Sequence, residues 1–330
     1  MFSPFMLAPM AELSHRPLRE LILGFDRKPP VEFFTEMISA GGLLGGGPFE
    51  RWYMDAGPCP GQVVYQLMGA DPAQLEKAAA LLDQKDCRGI DINMGCAAPA
   101  IRRTGAGIAW MADIDRAASL MGGVRKLVRH RRLSVKLRVG FSDDLDYLVR
   151  FCRRLEAEGV ELITLHPRIA AEKFKRRPRW EYVDVLRREL KIPVAGNGDI
   201  ATAEELLRRS GEGPVMAGRA LVRRPWLFAE AHALAAAADV GTLAGVGTAT
   251  GFGSVNLEET ALRFLGFLAA YQPPEFHLSR ARRFFSYFCD NLTWGNYVKT
   301  LLNREESLGG IENAWQGYFA EHPEERYSRD

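Results

Sequence analysis

A thiol stands where a short apolar run opens into a loop of small residues. The run Gly89-Ile90-Asp91-Ile92 has the composition of a buried strand, and Asn93, Gly95 and Cys96 come after it. A buried cysteine usually behaves as a small hydrophobic residue. Past the carboxyl end of a parallel strand, however, a thiol lies where barrel enzymes carry out their chemistry. Cys96 is therefore a candidate catalytic residue.

Other polar residues stand at the ends of similar apolar runs. Taken singly, each has a structural explanation, since a lysine within a strand can extend to pair with a carboxylate. A packed core gains nothing by collecting many donors at one edge, and convergent polar groups are the usual mark of a binding site. The residues concerned are Pro9, Met10, Thr35, Glu36, Gln66, Gly69, Asn93, Cys96, Lys136, Arg138, His166, Arg168, Asn197, Gly198, Asp199, Gly218 and Arg219.

Two glycine-containing loops have the composition of phosphate sites. Gly196-Asn197-Gly198-Asp199 and Ala217-Gly218-Arg219 follow the seventh and eighth apolar runs, where barrels often hold phosphate on backbone N–H groups. Arg219 would add a charge-assisted hydrogen bond. Lys136 would point toward the pocket centre, where a cation suits a flavin ring that becomes anionic on reduction. Ordinary glycine turns explain either loop alone, but explain both together less well.

Eight short, partly β-branched apolar runs predict the fold. Helical periodicity occupies most of the segments between them, and this alternation favours a parallel sheet. Eight units predict a (β/α)8 TIM barrel. An open doubly wound sheet is the alternative, weakened because no Gly-x-Gly-x-x-Gly turn follows the first strand. The predicted strands are residues 5–8, 31–34, 62–67, 89–92, 133–139, 161–165, 192–195 and 214–217.

The pattern changes after residue 228. Segment 241–254 is rich in glycine and threonine and is typical of a linker. Helical patterns then follow at 258–271, 276–291 and 294–303. We predict a barrel domain over residues 1–245 and a small all-helical C-terminal domain over residues 255–330.

Composition narrows the class of protein. A chain of 330 residues can bury a large core, and a net charge of +2 leaves any RNA contact to local patches. Five scattered cysteines with no Cys-x-x-Cys pair argue against a disulfide framework and a structural zinc site. No secretory signal and no apolar run that could span a bilayer are recognised. We expect a cytoplasmic monomer without membrane or metal.

The motifs together resemble those of the tRNA-dihydrouridine synthases, FMN enzymes that reduce uridine in the D-loop of tRNA. The resemblance runs in order from about residue 5 to residue 230 and continues faintly at 277–288. The matching segments are Leu7-Ala8-Pro9-Met10-Ala11, Phe34-Thr35-Glu36-Met37-Ile38-Ser39-Ala40, Tyr65-Gln66-Leu67-Met68-Gly69, Asp91-Ile92-Asn93-Met94-Gly95-Cys96, Val135-Lys136-Leu137-Arg138-Val139-Gly140, Leu165-His166-Pro167-Arg168, Ile192-Pro193-Val194-Ala195-Gly196-Asn197-Gly198-Asp199-Ile200, Ala217-Gly218-Arg219-Ala220 and Pro225-Trp226-Leu227-Phe228.

The resemblance implies a mechanism. NADPH would reduce FMN, hydride would pass from flavin N5 to uracil C6, and Cys96 would donate a proton to C5. A thiol with the ordinary pKa of about 8.5 is mostly protonated at neutral pH and suits this role. Asn93 would orient the base. The implied FMN contacts are Ala8, Pro9, Met10, Gln66, Lys136, His166, Asn197, Gly198, Asp199, Gly218 and Arg219.

The loop after Cys96 departs from the family pattern. Ala97 replaces the usual proline, a proline comes only at Pro99, and the lysine common nearby is absent. Arg102 and Arg103 are expected to take over its phosphate contacts. These changes affect the loop that must close over the substrate, but they remove no catalytic group.

Basic segments are the candidate RNA contacts. Segment 173–180 mixes lysine and arginine with aromatic residues near the catalytic end of the sixth strand, which suits phosphate contact and base stacking. Segment 280–283 on a C-terminal helix is a second candidate, whereas 125–132 is interpreted as a solvated helix face. The predicted tRNA contacts are Glu36, Asn93, Arg102, Arg103, Arg168, Lys173, Lys175, Arg176, Arg280 and Arg283.

Two alternative functions stay open. One is a flavin enzyme of the same barrel class that reduces a small molecule, of the dihydroorotate or enoate type. The basic loop and helical tail argue against it, since a free pyrimidine needs neither. The other is a tRNA-binding protein that has lost catalysis, which the presence of Cys96, Lys136 and the Asn197-Gly198-Asp199 loop argues against.

Overall fold

The computed structural model describes residues 3–25, 31–239 and 252–328. Eight parallel strands close into a barrel in chain order, with β1 paired to both β2 and β8. The strands are β1 (Phe5–Leu7), β2 (Val31–Ser39), β3 (Val63–Met68), β4 (Gly89–Met94), β5 (Arg132–Gly140), β6 (Leu162–Ile169), β7 (Val194–Asn197) and β8 (Val215–Ala217). The predicted (β/α)8 barrel is confirmed.

Helices connect the strands and continue after the barrel. Aspartate N-caps begin three of them: the carboxylates of Asp71, Asp113 and Asp144 accept backbone N–H groups of α4, α6 and α7. The helices are α1 (Arg16–Leu23), α2 (Ala40–Leu44), α3 (Glu50–Tyr53), α4 (Pro72–Asp83), α5 (Pro99–Arg103), α6 (Ile114–Leu127), α7 (Leu145–Ala157), α8 (Trp180–Glu189), α9 (Ala203–Ser210), α10 (Arg219–Arg223), α11 (Leu227–Asp239), α12 (Leu257–Tyr271), α13 (Pro274–Phe288), α14 (Gly295–Asn303) and α15 (Leu308–Glu321). Each such cap contributes about 1 kcal/mol to helix stability.

Several strands run further toward their carboxyl ends than the sequence predicts. Glu36 lies within β2, Asn93 within β4, and both His166 and Arg168 within β6. The prediction ended these strands early because polar side chains interrupt the apolar pattern there. In the barrel those side chains face a polar mouth, so a polar residue does not end the strand.

An apolar cluster fills the barrel beneath that mouth. It consists of Met6, Ala8, Phe34, Val64, Leu162, Ala195 and Met216, with Met10 packed against it. Side chains two positions apart on a strand point the same way. Gln66, Thr164 and Asn197, each two residues beyond a member of this cluster, therefore form the next inward layer.

Contacts divide the chain into two compact units. The first, which holds all eight strands, comprises Met1–Met10, Pro29–Ile200 and Arg208–Gly218. The second comprises Ala11–Lys28, Ala201–Leu207 and Arg219–Asp330. The predicted linker 241–254 falls mostly outside the described residues, so the domain boundary between 245 and 255 stays a prediction.

The second unit is helical, which confirms the all-helical region predicted after residue 257. Stacked aromatic rings form its core, with Phe264 and Phe284 centroids 3.8 Å apart and Trp315 packed on Phe285. Helix α1, which the sequence did not predict, packs against α12 in this unit. In the described residues no helix is long and apolar enough to cross a membrane.

Candidate active site

A buried carboxylate lies below the mouth of the barrel. Gln66, Asp91 and Ser134 are register partners on β3, β4 and β5, and all three are 0% exposed. Gln66 Nε2 donates to Asp91 Oδ2 and Ser134 Oγ donates to Asp91 Oδ1, both at 2.7 Å. Burial raises the pKa of Asp91 to about 6, against the opposing effect of these hydrogen bonds and of nearby cations. Asp91 is therefore mostly ionised at neutral pH.

Asn93 connects this layer to the loop that carries the thiol. Its Nδ2 donates to Gln66 Oε1 at 2.9 Å. Its Oδ1 accepts the backbone N–H groups of Gly95 at 3.2 Å and Cys96 at 2.9 Å. The backbone N–H of Ile108 donates to the Cys96 carbonyl at 3.0 Å. The backbone of Cys96 is thus held on both sides while the residue stays partly exposed.

Lys136 presents an unpaired ammonium beside this loop. It is the register partner of Asn93 and of Thr164 on the adjacent strands. Within the described residues its ammonium makes no hydrogen bond or ion pair, and the buried Thr164 Oγ1 has no hydrogen-bond partner. Burial and the neighbouring Arg138 lower the pKa of Lys136 to about 8, while Asp91 and Cys96 oppose this. An open ammonium and an open hydroxyl fit the electron-rich edge of the predicted flavin.

The two loops predicted to bind phosphate have glycines packed closely against neighbouring side chains. A Cβ on Gly196 would lie 2.1 Å from the Trp180 ring, so only glycine fits there. Asn197 Nδ2 donates to the Met216 carbonyl at 2.7 Å and joins β7 to β8. A Cβ on Gly218 would lie 3.3 Å from the Met10 sulfur atom. The phosphate-binding role of both loops stays a prediction.

Arg219 begins α10 in the second unit. Its phosphate role stays a prediction from the sequence. Pro9 and Met10 follow β1 and are partly exposed, as a contact with a flat ring requires, whereas Ala8 is buried in the apolar cluster. Their ring-contact roles also stay predictions.

Arg168 requires a correction. It is 1% exposed, its Nη1 donates to Asp199 Oδ1 at 3.1 Å and lies 3.1 Å from His166 Nε2, and its Nε donates to the Arg176 carbonyl. A guanidinium buried in this way needs an anion beside it, and Asp199 supplies one. Arg168 is therefore a structural partner of Asp199 and not an exposed RNA contact. Asp199 lies in the left-handed region with φ of 50°.

Gln66 and Glu36 also lie deeper than their predicted ligand contacts suggest. Gln66 uses both polar atoms of its amide within the barrel. Glu36 is 4% exposed and sits at an irregularity of β2, where the register with β3 shifts between Phe34 and Met37. Bulges of this kind redirect side chains near functional sites.

The predicted RNA-contacting segments of the barrel unit are exposed. Arg102 and Arg103 lie on α5, and Lys173, Lys175 and Arg176 follow β6.

Phe174, in the same loop, is 56% exposed and stacks on the His166 ring with centroids 6.0 Å apart. Arg138 supports this loop through a 3.1 Å hydrogen bond to the Lys173 carbonyl. The loop thus presents cations and one aromatic ring at the barrel mouth.

The second predicted RNA-contacting segment, residues 280–283, exposes fewer basic residues than predicted. Arg280 is 2% exposed and donates to Gln272 Oε1, so its predicted RNA contact is wrong for this structure. The helix turns Arg280 inward, whereas Arg283 remains exposed beside Tyr287. The sequence showed only a basic cluster and not which member faces the helical core.

Asp91 is the residue that sequence reasoning missed. The available signal was an acidic residue within an otherwise apolar strand, where only a satisfied carboxylate is tolerated. Among the described residues, no group of three or more His, Cys, Asp or Glu side chains could hold a metal ion.

Comparison with known families decides the assignment. The family model described as Dihydrouridine synthase (Dus) matches residues 6–247. The chain belongs to the dihydrouridine synthase family. A probable tRNA-dihydrouridine synthase of Rhizobium leguminosarum bv. phaseoli is 34% identical over 239 residues, which cover 71% of this chain and 72% of the relative.

Two further relatives agree with this membership in the dihydrouridine synthase family. A probable tRNA-dihydrouridine synthase of Rhodobacter capsulatus is 32% identical over 231 residues, covering 69% of this chain and 70% of the relative. The tRNA-dihydrouridine synthase B of Salmonella typhimurium is 30% identical over 226 residues, covering 68% and 69%. The helices beyond residue 257 lie outside the segment that the dihydrouridine synthase model matches.

Proposed function

We propose that this dihydrouridine synthase reduces the C5–C6 double bond of a uridine in tRNA, with FMN as its cofactor and NADPH as the reductant. Family membership supports the reaction class. The observation that carries the proposal is the placement of Cys96, whose backbone is fixed by Ile108 and by Asn93, the register partner of Lys136 on the next strand. A proton donor and an open cation at one barrel mouth suit reduction of a polarised double bond.

The residues around Lys136 would hold the flavin. Lys136 and Thr164 would face its polar edge, and Pro9 and Met10 would lie against the ring. The backbone of the Gly198 and Gly218 loops would bind the phosphate, since N–H groups of glycine loops suit anions. FMN, when bound, supplies the hydride that uracil receives at C6.

Cys96 would complete the reduction from the opposite face of the base. Its S–H bond breaks as a C5–H bond forms, and the thiolate recovers a proton from solvent. Proton donation of this kind contributes roughly 10²- to 10⁴-fold to a rate. Asn93 would orient the base through its Nδ2 group.

The exposed loops would bind the RNA around the target base. An enzyme that acts on a base must take it out of its stack, and an exposed aromatic ring lowers that cost by stacking. Phe174 offers such a ring, with Lys173, Lys175 and Arg176 beside it for phosphate contact. Arg283 would add a contact from the helical C-terminal domain. We expect a cytoplasmic monomer with tRNA as its partner.

One assay tests the reaction and its alternatives. Purified protein is scanned for flavin absorbance and then incubated with unmodified tRNA and NADPH, and the digested nucleosides are weighed by mass spectrometry. We expect uridine to gain two hydrogen atoms only when both protein and NADPH are present. Reduction of free orotate or an enoate without reduction of tRNA would establish the small-molecule alternative. Tight tRNA binding without flavin or product would establish the binding-protein alternative.

A further inference from the structure

Asp91 has no part in the proposed reaction, yet its position is costly. The carboxylate is fully buried and accepts hydrogen bonds from Gln66 and Ser134. Burying a charge costs free energy unless hydrogen bonds compensate it. Asp91 lies two positions before Asn93 and five before Cys96. Its buried carboxylate therefore calls for an explanation beyond packing.

The directions of the hydrogen bonds supply that explanation. A carboxylate accepts and cannot donate, so Gln66 must turn its Nε2 to Asp91 and its Oε1 to Asn93. At the other end of this series of hydrogen bonds, the backbone N–H groups of Gly95 and Cys96 can only donate, so Asn93 turns its Oδ1 to them. With Gln66 reversed, its NH₂ group would face the NH₂ group of Asn93. The carboxylate and the backbone thus require the same orientation of both amides.

We propose that Asp91 is a positioning residue that acts through Gln66 and Asn93 to hold the backbone of Cys96. The chain runs from Asp91 Oδ2 to Gln66 at 2.7 Å, from Gln66 to Asn93 at 2.9 Å, and from Asn93 to the Cys96 N–H at 2.9 Å. Because the amide group of Asn93 is planar, these hydrogen bonds also fix the direction of its second Nδ2–H bond. The inference rests on the proposed function in one respect: the position of Cys96 matters for catalysis because Cys96 is the proposed proton donor.

The reactivity of Cys96 toward iodoacetamide measures this positioning directly. Cys59 is also partly exposed and serves as a reference within the same molecule, while Cys87 and Cys152 are buried. Labelling of the full-length protein, as purified, is followed site by site by mass spectrometry. The labelling rate rises with pH and reaches a plateau once the thiol is ionised. Rates are compared on this plateau, where they report how accessible the sulfur is.

Asp91→Ala removes the acceptor of Gln66 and should loosen the Cys96 loop. We expect the plateau rate at Cys96 to rise about fivefold to tenfold, the factor for one lost hydrogen bond, with Cys59 unchanged. Asp91→Asn keeps an oxygen acceptor for Gln66, and the NH₂ group of the new side chain can donate to Ser134 Oγ. We therefore expect this variant to keep the wild-type labelling rate. Gln66→Met breaks the next link and should act like Asp91→Ala, which provides a second variant if the first fails to fold.

Asp83→Asn is the matched control. Asp83 is another buried carboxylate of the barrel unit, and it accepts the backbone N–H groups of Arg129, His130 and Arg131. Its replacement removes a buried charge without touching the chain to Cys96. We expect no change in Cys96 labelling even if the protein loses stability.

Two results would overturn the inference. In the first, Cys96 reacts at the wild-type rate in both Asp91→Ala and Gln66→Met. In the second, Cys59, Cys87 and Cys152 become more reactive together with Cys96, which would indicate general loosening of the barrel. Labelling requires neither flavin nor tRNA, so a protein that makes no dihydrouridine would still give a clear answer. In an active protein, Asp91→Ala should also lower kcat more than it changes KM.

Discussion

Gly107 closes directly on the backbone of Cys96. A Cβ atom on Gly107 would lie 2.5 Å from the Cys96 carbonyl oxygen, and Gly107 has a φ of +61°. The same carbonyl accepts the N–H of Ile108. The segment after α5 therefore returns to the catalytic loop and packs against it, which a side chain at position 107 would prevent.

Gly107→Ala should reduce activity through the position of Cys96. The left-handed backbone alone costs an alanine about 1 kcal/mol, and the contact with Cys96 adds a displacement of the loop. We expect kcat to fall by about tenfold or more, as small misplacements of catalytic groups do. Gly105→Ala is the control, because Gly105 has a φ of +85° and its Cβ would meet Ala70 at an ordinary 3.5 Å. Equal loss of kcat in both variants would show that the close approach to Cys96 is unimportant.

Cys96→Ala should separate cofactor binding from chemistry. The variant keeps the Cys96 backbone contacts and Lys136, so flavin content should match wild type. Dihydrouridine formation should fall roughly 10²- to 10⁴-fold, the range for loss of a proton donor. Bound flavin is measured by absorbance and product by nucleoside mass spectrometry. Cys59→Ala should leave both unchanged, and full turnover by Cys96→Ala would rule out the assigned proton donor.

FMN affinity should depend on pH through Lys136. Its pKa is lowered to about 8 from an ordinary value of 10.5, so the ammonium is charged at pH 6.5 and loses its charge as pH rises above 8. Binding of an electron-rich ring edge favours the charged form, so the dissociation constant should increase above about pH 8 by up to tenfold per pH unit. Fluorescence titration of FMN measures it.

Two variants isolate this effect of Lys136. Lys136→Met should bind FMN weakly at every pH, because the cation is gone. Lys136→Arg keeps its charge throughout and should show no change between pH 7 and 9. A wild-type affinity that stays constant over this range would contradict the proposed contact.

Arg168→Ala should destabilise the barrel. It removes the ion pair with the Asp199 carboxylate, whose side chain is 39% exposed, and the hydrogen bond to the Arg176 carbonyl. Loss of one member of a fully buried pair costs 3–5 kcal/mol, and partial exposure of Asp199 reduces the expected loss to roughly 2–3 kcal/mol. Urea unfolding measures it. Arg153→Ala, which breaks the exposed pair with Glu189, should change the free energy of unfolding by less than about 1 kcal/mol.

Binding of tRNA should weaken steeply with salt. Each phosphate contact adds roughly 0.7 to 0.9 to the slope of log affinity against log salt concentration. Replacing Lys173 and Lys175 by glutamine removes two such contacts and should lower that slope by about 1.4 to 1.8. Lys126→Gln is the control and should leave the slope unchanged, because Lys126 is an exposed residue of α6 in the segment interpreted as an ordinary solvated face. Equal effects of the loop and control variants would contradict a specific role for the loop.

The fold could be predicted because its signals are local. Each strand appears as a short apolar run, and helical periodicity occupies most of the segments between the runs, so eight units could be counted. Strand ends were placed too early where inward-facing polar residues such as Asn93 and His166 continue the strand. The sequence analysis missed helix α1, which is only eight residues long and packs on α12.

The sequence by itself determined the barrel, the family and the set of polar residues at the carboxyl ends of the strands, because residue type and periodicity report which way a side chain faces. Tertiary structure alone decided which of these residues meet. Gln66 and Asp91 are 25 residues apart in the chain, and Arg168 and Asp199 are 31 apart. Only the pairing of neighbouring strands, β3 with β4 and β6 with β7, brings them within hydrogen-bond distance. That pairing turned Arg168 from a predicted RNA contact into a buried partner of Asp199 and connected Asp91 to Cys96.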